Sequence, residues 1–165
     1  MTAREQFNIF RHQEVLKAMQ GLSGPSTAKL EPSLLELVKM RASQINGCGY
    51  CLDMHSKDAR HAGETEQRLY LLSAWREAPL YSDRERAALA WTEALTTLEK
   101  QQVPDAVYEQ ARANFSHDEL VRLTLAVVAI NGWNRINIAF NVVPGTYQVG
   151  MHKTTAACSP LISPR

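Results

Sequence analysis

The chain is predicted to fold as an all-α domain over residues 1–144, followed by a mostly irregular tail over 145–165. Three observations predict this. Apolar residues recur at helical spacing almost throughout. Two serines, in Ser82-Asp83-Arg84-Glu85 and Ser116-His117-Asp118-Glu119, stand at capping-box spacing ahead of long apolar-periodic runs. The longest apolar run, from Leu120 to Val143, is β-branched in places but too long for a strand.

Taken in order, residues 4–20 place Phe7, Phe10, Leu16 and Met19 at mostly helical spacing, and GLSGPS then breaks the pattern. Pro32 and Ser33 open a second helix that runs to about Asn46 and carries Leu34, Leu35, Leu37, Val38 and Met40. Gly47 interrupts it. A third helix runs from about Cys48 to Ala62 and stops at Gly63. Residues 65–76 form a shorter one with Leu69, Leu72 and Trp75. The capping boxes start two further helices, with Pro104 to Asn114 a short helix between them. Pro144 ends the last, and Gly132 can kink or divide it. A helix greasy on more than one face must be buried, either as the core helix or against a second subunit. The tryptophans Trp75, Trp91 and Trp133 read as packing residues, and the region of Arg60 and Arg68 as a solvated face.

Composition narrows the function. With 18 basic and 17 acidic residues the net charge is +1, and no block of like charge invites nucleic acid or an anionic membrane. No apolar run reaches the ~20 residues that span a bilayer. The start, MTAREQFNIFRHQEV, lacks an apolar signal core, so the expected location is cytoplasmic, where structural disulfides are rare.

The chemistry concentrates in EPSLLELVKMRASQINGCGYCLDMHSKDARHAG. Cys48, Cys51 and His55 are three and four apart and line one stripe of a helix. Residues three apart on a helix have Cα atoms ~5 Å apart, which suits a dithiol that opens and closes. A helix N-terminus favours thiolate, and a base at His55 can take a thiol proton from Cys51 one turn away. Glu36 can orient that imidazole. If helices two and three form a hairpin about Gly47, Glu36 and His55 lie about 16 and 12 Å from the turn, within about a turn of each other. The helix end favours Cys48 as the acidic thiol and the base favours Cys51; a base in contact outweighs a dipole end that water reaches.

Glu36, eleven residues, then Cys48-Gly49-Tyr50-Cys51 and His55 resembles the redox-active core of the alkylhydroperoxidase D (AhpD) family, within the carboxymuconolactone decarboxylase-like superfamily. AINGWNRINIAFNVVP is also similar to the closing helix of its single-domain relatives. The resemblance implies an AhpD-like helical bundle with its CxxC at the start of a central helix, assembled as a trimer or hexamer. It implies a peroxidase acting on organic hydroperoxides or hydrogen peroxide, with Cys51 attacking, Cys48 resolving, and His55 with Glu36 as proton relay. It implies a dithiol or lipoylated-protein reductant and neither cofactor nor metal. Tyr50 departs from the best-studied members of the family, which carry a histidine between the cysteines.

Competing readings remain open at this point. A zinc site would use Cys48, Cys51, His55 and His61, yet one helix offers no second knuckle. Two buried cysteines can also be plain packing residues. The same superfamily holds decarboxylases, whose chemistry needs no cysteine pair. A redox-responsive oligomer would toggle a disulfide without turnover. His12, His61, His117 and His152 read as solvated or structural, and Cys158 as an incidental thiol of the tail.

Overall fold

A computed structural model describes residues 12–27 and 29–152, and among them it is helical with no strand. Phe7, Phe10 and Cys158 lie outside the described residues. Seven α-helices follow in order: α1 (Gln13–Thr27), α2 (Pro32–Asn46), α3 (Gly49–His61), α4 (Glu66–Tyr70), α5 (Asp83–Thr97), α6 (Asp105–Asn114) and α7 (His117–Ala139). Among the described residues, no helix is long and apolar enough to cross a membrane.

Local chemistry sets most of these boundaries. Pro32 occupies the first turn of α2, where its missing N–H costs nothing. Gly47 closes α2 in the left-handed region at φ 70°, its N–H returned to Ser43 and Gln44 carbonyls. Both capping boxes form, Ser82 with Glu85 and Ser116 with Glu119. The segment expected as one helix over 65–76 splits into α4 and a 3-10 turn over Leu71–Ala74.

Two further expectations are corrected. GLSGPS does not break α1, which runs on to Thr27. Tertiary partners hold it: Ser23 Oγ donates to the Met19 carbonyl at 2.8 Å and accepts from Trp133 Nε1 at 3.0 Å. Gly132 neither kinks nor divides α7; a Cβ there would meet Met19 Cε at 3.1 Å, so the glycine lets α1 lie close. Arg68 is also no freely solvated cation, since it bridges Glu64 at 2.9 Å and Glu85 at 2.5 Å.

The central helix is α2. Its Leu34, Leu35 and Val38 join Trp91 of α5, Phe115, and Leu123 and Val127 of α7 in one core. Leu37 and Met40 face a second core with Ala59 of α3, Leu72 and Trp75. A third, small cluster holds Ala42, Cys48, Cys51 and Ile130, with Trp133 against it. Helix α7 shares the core and also has an outer face: it buries Leu123, Val127 and Ile130 and leaves Val121, Leu125 and Val128 exposed at i, i+4, i+7 spacing.

Beyond α7 the chain turns at Pro144 and runs without regular structure over 145–152. This strap lies on α3. Pro144 packs against Gly49, the Gly145 N–H donates to Asp53 at 2.9 Å, and Lys57 Nζ donates to the Tyr147 carbonyl at 3.1 Å. Tyr147 is buried to 4% exposure.

Candidate active site

The α2–Gly47–α3 hairpin sets the site. Cys48 is the N-cap of α3, with extended backbone, and Cys51 sits in the first turn. Their Sγ atoms lie 2.8 Å apart in a hydrogen bond, as free thiols. Both are buried, Cys48 at 1% and Cys51 at 0% exposure, so a reactant reaches them only after something moves.

A hydrogen bond between two sulfurs splits their acidities. The hydrogen bond between the two sulfurs holds Cys48 down at about 7 against burial, helped by the Cys51 N–H, Asn134 and the Tyr50 N–H. The same shared bond, then burial and the Cys48 charge, pushes Cys51 up, and the amides of Asn137 and Asn134 oppose that rise. Within the pair, therefore, the sulfur at the helix end is the more acidic, as the dipole argument has it.

Glu36 and His55 meet as the hairpin geometry predicts: Nδ1 of His55 and Oε2 of Glu36 are 2.8 Å apart. Lys39 Nζ donates to the other Glu36 oxygen at 2.8 Å. Burial pushes the Glu36 carboxyl up, but the His55 hydrogen bond and charge, with Lys39, bring it down to about 2. His55 is buried at 6% exposure, and among the described residues no hydrogen bond joins it to either sulfur. It lies one helical turn from Cys51 on the same stripe, oriented by Glu36.

The zinc set does not assemble. Among the described residues the donor atoms that converge, within 4.8 Å, belong to Glu36, His55 and Asp58, with no sulfur among them. Their carboxylates are already engaged, Glu36 by Lys39 and His55, and Asp58 by the Tyr147 hydroxyl.

Sequence reasoning missed two parts of the site. The first is a set of amides on α7. Asn137 Nδ2 donates to Cys51 Sγ at 3.3 Å, and Asn134, at 0% exposure, donates to Ser43 Oγ at 3.0 Å beside the thiols. The signal was there, three asparagines at three-residue spacing in an otherwise apolar helix, where a polar side chain needs a partner. The second is the strap. Tyr50, the residue between the cysteines, bonds His152 Nε2 through its hydroxyl at 2.7 Å. A histidine thus does stand by this position, brought in from the far end of the described chain.

Comparison with known proteins bears on this arrangement. The model of the carboxymuconolactone decarboxylase family matches residues 13–94. The uncharacterized protein YdfG of Bacillus subtilis is 49% identical over 104 residues, covering 63% of this chain and 71% of that protein. A crystal structure from Agrobacterium tumefaciens, of a protein of unknown function proposed as an AhpD antioxidant defence protein, superposes with TM-score 0.82 at 40% identity. It covers 88% of this chain and 100% of its own. The debrominase Bmp8 shares the fold alone, with TM-score 0.71 at 17% identity over 84% of this chain and 74% of its own. The chain belongs to the AhpD-like, carboxymuconolactone decarboxylase-like family.

Proposed function

We propose that the chain is a thiol-dependent peroxidase that reduces organic hydroperoxides or hydrogen peroxide at the expense of a dithiol. The carrying observation is the dithiol itself: sulfurs 2.8 Å apart in the first turn of α3, with the Glu36–His55 pair one turn along. Decarboxylation of a lactone makes no use of such a pair. The relative from Agrobacterium, proposed as an AhpD antioxidant protein, supports the same reading.

In the first step the Cys51 thiol gives its proton to the Cys48 thiolate or to His55, and the Cys51 sulfur attacks the peroxide oxygen. The O–O bond breaks, Cys51 becomes a sulfenic acid, and the leaving alkoxide takes a proton from the relay. In the second step Cys48 attacks the Cys51 sulfur, the disulfide forms and water leaves. An external dithiol, free or lipoyl-bound, then reduces the disulfide and is itself oxidised to a disulfide. No cofactor or metal enters these steps. In this reading the enzyme works in the cytoplasm, as a homo-oligomer of trimeric or hexameric type, on a small-molecule hydroperoxide.

The test is consumption of cumene hydroperoxide or hydrogen peroxide by the reduced protein with dihydrolipoamide supplied, followed by peptide mapping without reductant. Many turnovers and an intramolecular Cys48–Cys51 disulfide are expected. Burial of both sulfurs favours one second reading, a redox-responsive protein without turnover. Disulfide formation with a single turnover would select it, and no peroxide consumption above the uncatalysed rate would overturn both.

A further inference from the structure

Asn131, Asn134 and Asn137 lie three apart on α7, along one side of the helix. The first two hold helices together, Asn134 while its amide also acts on the two sulfurs. Asn46 Nδ2 donates to Oδ1 of both at 2.9 Å. Asn131 in turn donates to Thr96 Oγ1 at 3.1 Å, and Asn134 to Ser43 Oγ at 3.0 Å. Asn137 differs. Its Nδ2 is 3.3 Å from Cys51 Sγ, and among the described residues that is the hydrogen bond its side chain makes.

A primary amide is a particular choice of neighbour for a sulfur. It carries no proton that titrates in the working range, so it is neither base nor acid. It donates, and donation favours sulfur as an anion over sulfur as a thiol. A cation in its place would also favour the anion, but a thiolate held that acidic is a poorer nucleophile. A neutral donor lowers the cost of ionising a buried thiol and leaves the sulfur reactive. The need is specific to Cys51, because its hydrogen bond with Cys48, then burial and the Cys48 charge, all oppose its ionisation.

We infer that Asn137 is a direct hydrogen-bond donor to the reacting sulfur, favouring the anionic form that Cys51 takes on when it loses its proton and attacks. The inference rests on the peroxidase reading for the word attacks, but its test does not depend on peroxide. The background is Cys48→Ser with Cys158→Ser, which leaves Cys51 as the remaining one of the 3 cysteines. Ultraviolet thiolate absorbance against pH gives its ionisation midpoint, and the rate of iodoacetamide alkylation gives its reactivity.

Asn137→Leu, close in volume but without the donor, is expected to raise the midpoint by about one pH unit and slow alkylation at neutral pH about tenfold. Asn137→Asp, the same shape with a charge facing the sulfur, should raise it further. Either variant, folded by circular dichroism and with its midpoint unmoved, overturns the inference. Should neither fold, nuclear magnetic resonance of Asn137 itself decides: its side-chain amide protons must shift as Cys51 titrates, and a constant amide signal overturns the inference equally. A protein that turns over no peroxide yet shows these shifts loses the peroxidase reading and keeps Asn137. Turnover without the shifts does the reverse.

Discussion

Tyr147 donates its hydroxyl to the carboxylate of Asp58, 2.8 Å from Oδ1 and 3.0 Å from Oδ2, across 89 residues of chain. Asp58 lies beside the Glu36–His55 pair, so one phenol fastens the strap to the edge of the candidate site. Burial, and then the Asp58 hydrogen bond, raise that phenol to about 12, so it remains a donor throughout the working range.

The strap is therefore expected to control access to the sulfurs. Tyr147→Phe removes a hydrogen bond to a charged acceptor, a contribution of roughly 1.5–3 kcal/mol when such a bond is lost. Iodoacetamide should alkylate the two buried thiols several-fold faster in this variant, read by mass spectrometry of the peptide that carries them. An unchanged rate would mean that access comes from elsewhere, such as the α1 side.

The two cysteines are expected to divide the work. Cys48→Ser should react once with peroxide and stop at a Cys51 sulfenic acid, trapped by a dimedone-type probe. Cys51→Ser should consume peroxide negligibly. The reverse pattern would show that the thiolate held at Cys48, at about 7, is itself the attacker. His55→Ala should slow the first step by about 10²–10⁴-fold, and Glu36→Gln by less, since it keeps the shape and removes the charge.

The Glu36 contacts carry a signature in acid. Its carboxyl is lowered from 4.5 to about 2, so the contribution to stability is present above the ordinary value and is lost as pH falls through about 2. At neutral pH this is on the order of 3 kcal/mol. Acid unfolding followed by circular dichroism should be less steep between those two pH values in Glu36→Gln than in the parent. Superimposable acid transitions would contradict the pairing.

Exposed Val121, Leu125 and Val128 give α7 an apolar stripe on its outer side. A homo-oligomer that covers it is expected. Light scattering should report a multiple of 18.5 kDa for the parent and a smaller mass for Val128→Glu. A monomeric parent at micromolar concentration would remove this stripe from the list of interfaces.

What the sequence made legible was whatever short-range chemistry decides. Pro32, Gly47, Ser82 and Ser116 act on backbone groups within four residues, so the ends of α2, α5 and α7 could be read directly. The Glu36–His55 contact was also legible, because a hairpin fixes reach by counting residues from its turn. The continuation of α1 was not. Its support at Ser23 comes from Trp133, 110 residues away, and no local rule contains that bond. Gly132 misled for the same reason, since its role is to make room for Met19 on another helix. Asn137 was hidden inside an apolar run whose periodicity was read for its greasy positions and not for its polar ones.

The dithiol and its relay all lie between residues 36 and 55, on one hairpin, whereas Asn137 and Tyr147 come much later in the chain. During synthesis the reactive part is therefore complete before its cover exists. At ~5–20 residues per second, the roughly 90 residues from His55 to Tyr147 take about 5–20 s to emerge. For that interval the nascent chain carries two exposed thiols with neither α7 nor strap above them. A disulfide closed in that interval is the same bond that turnover makes, so the external dithiol that reopens it in the folded protein would reopen this one as well.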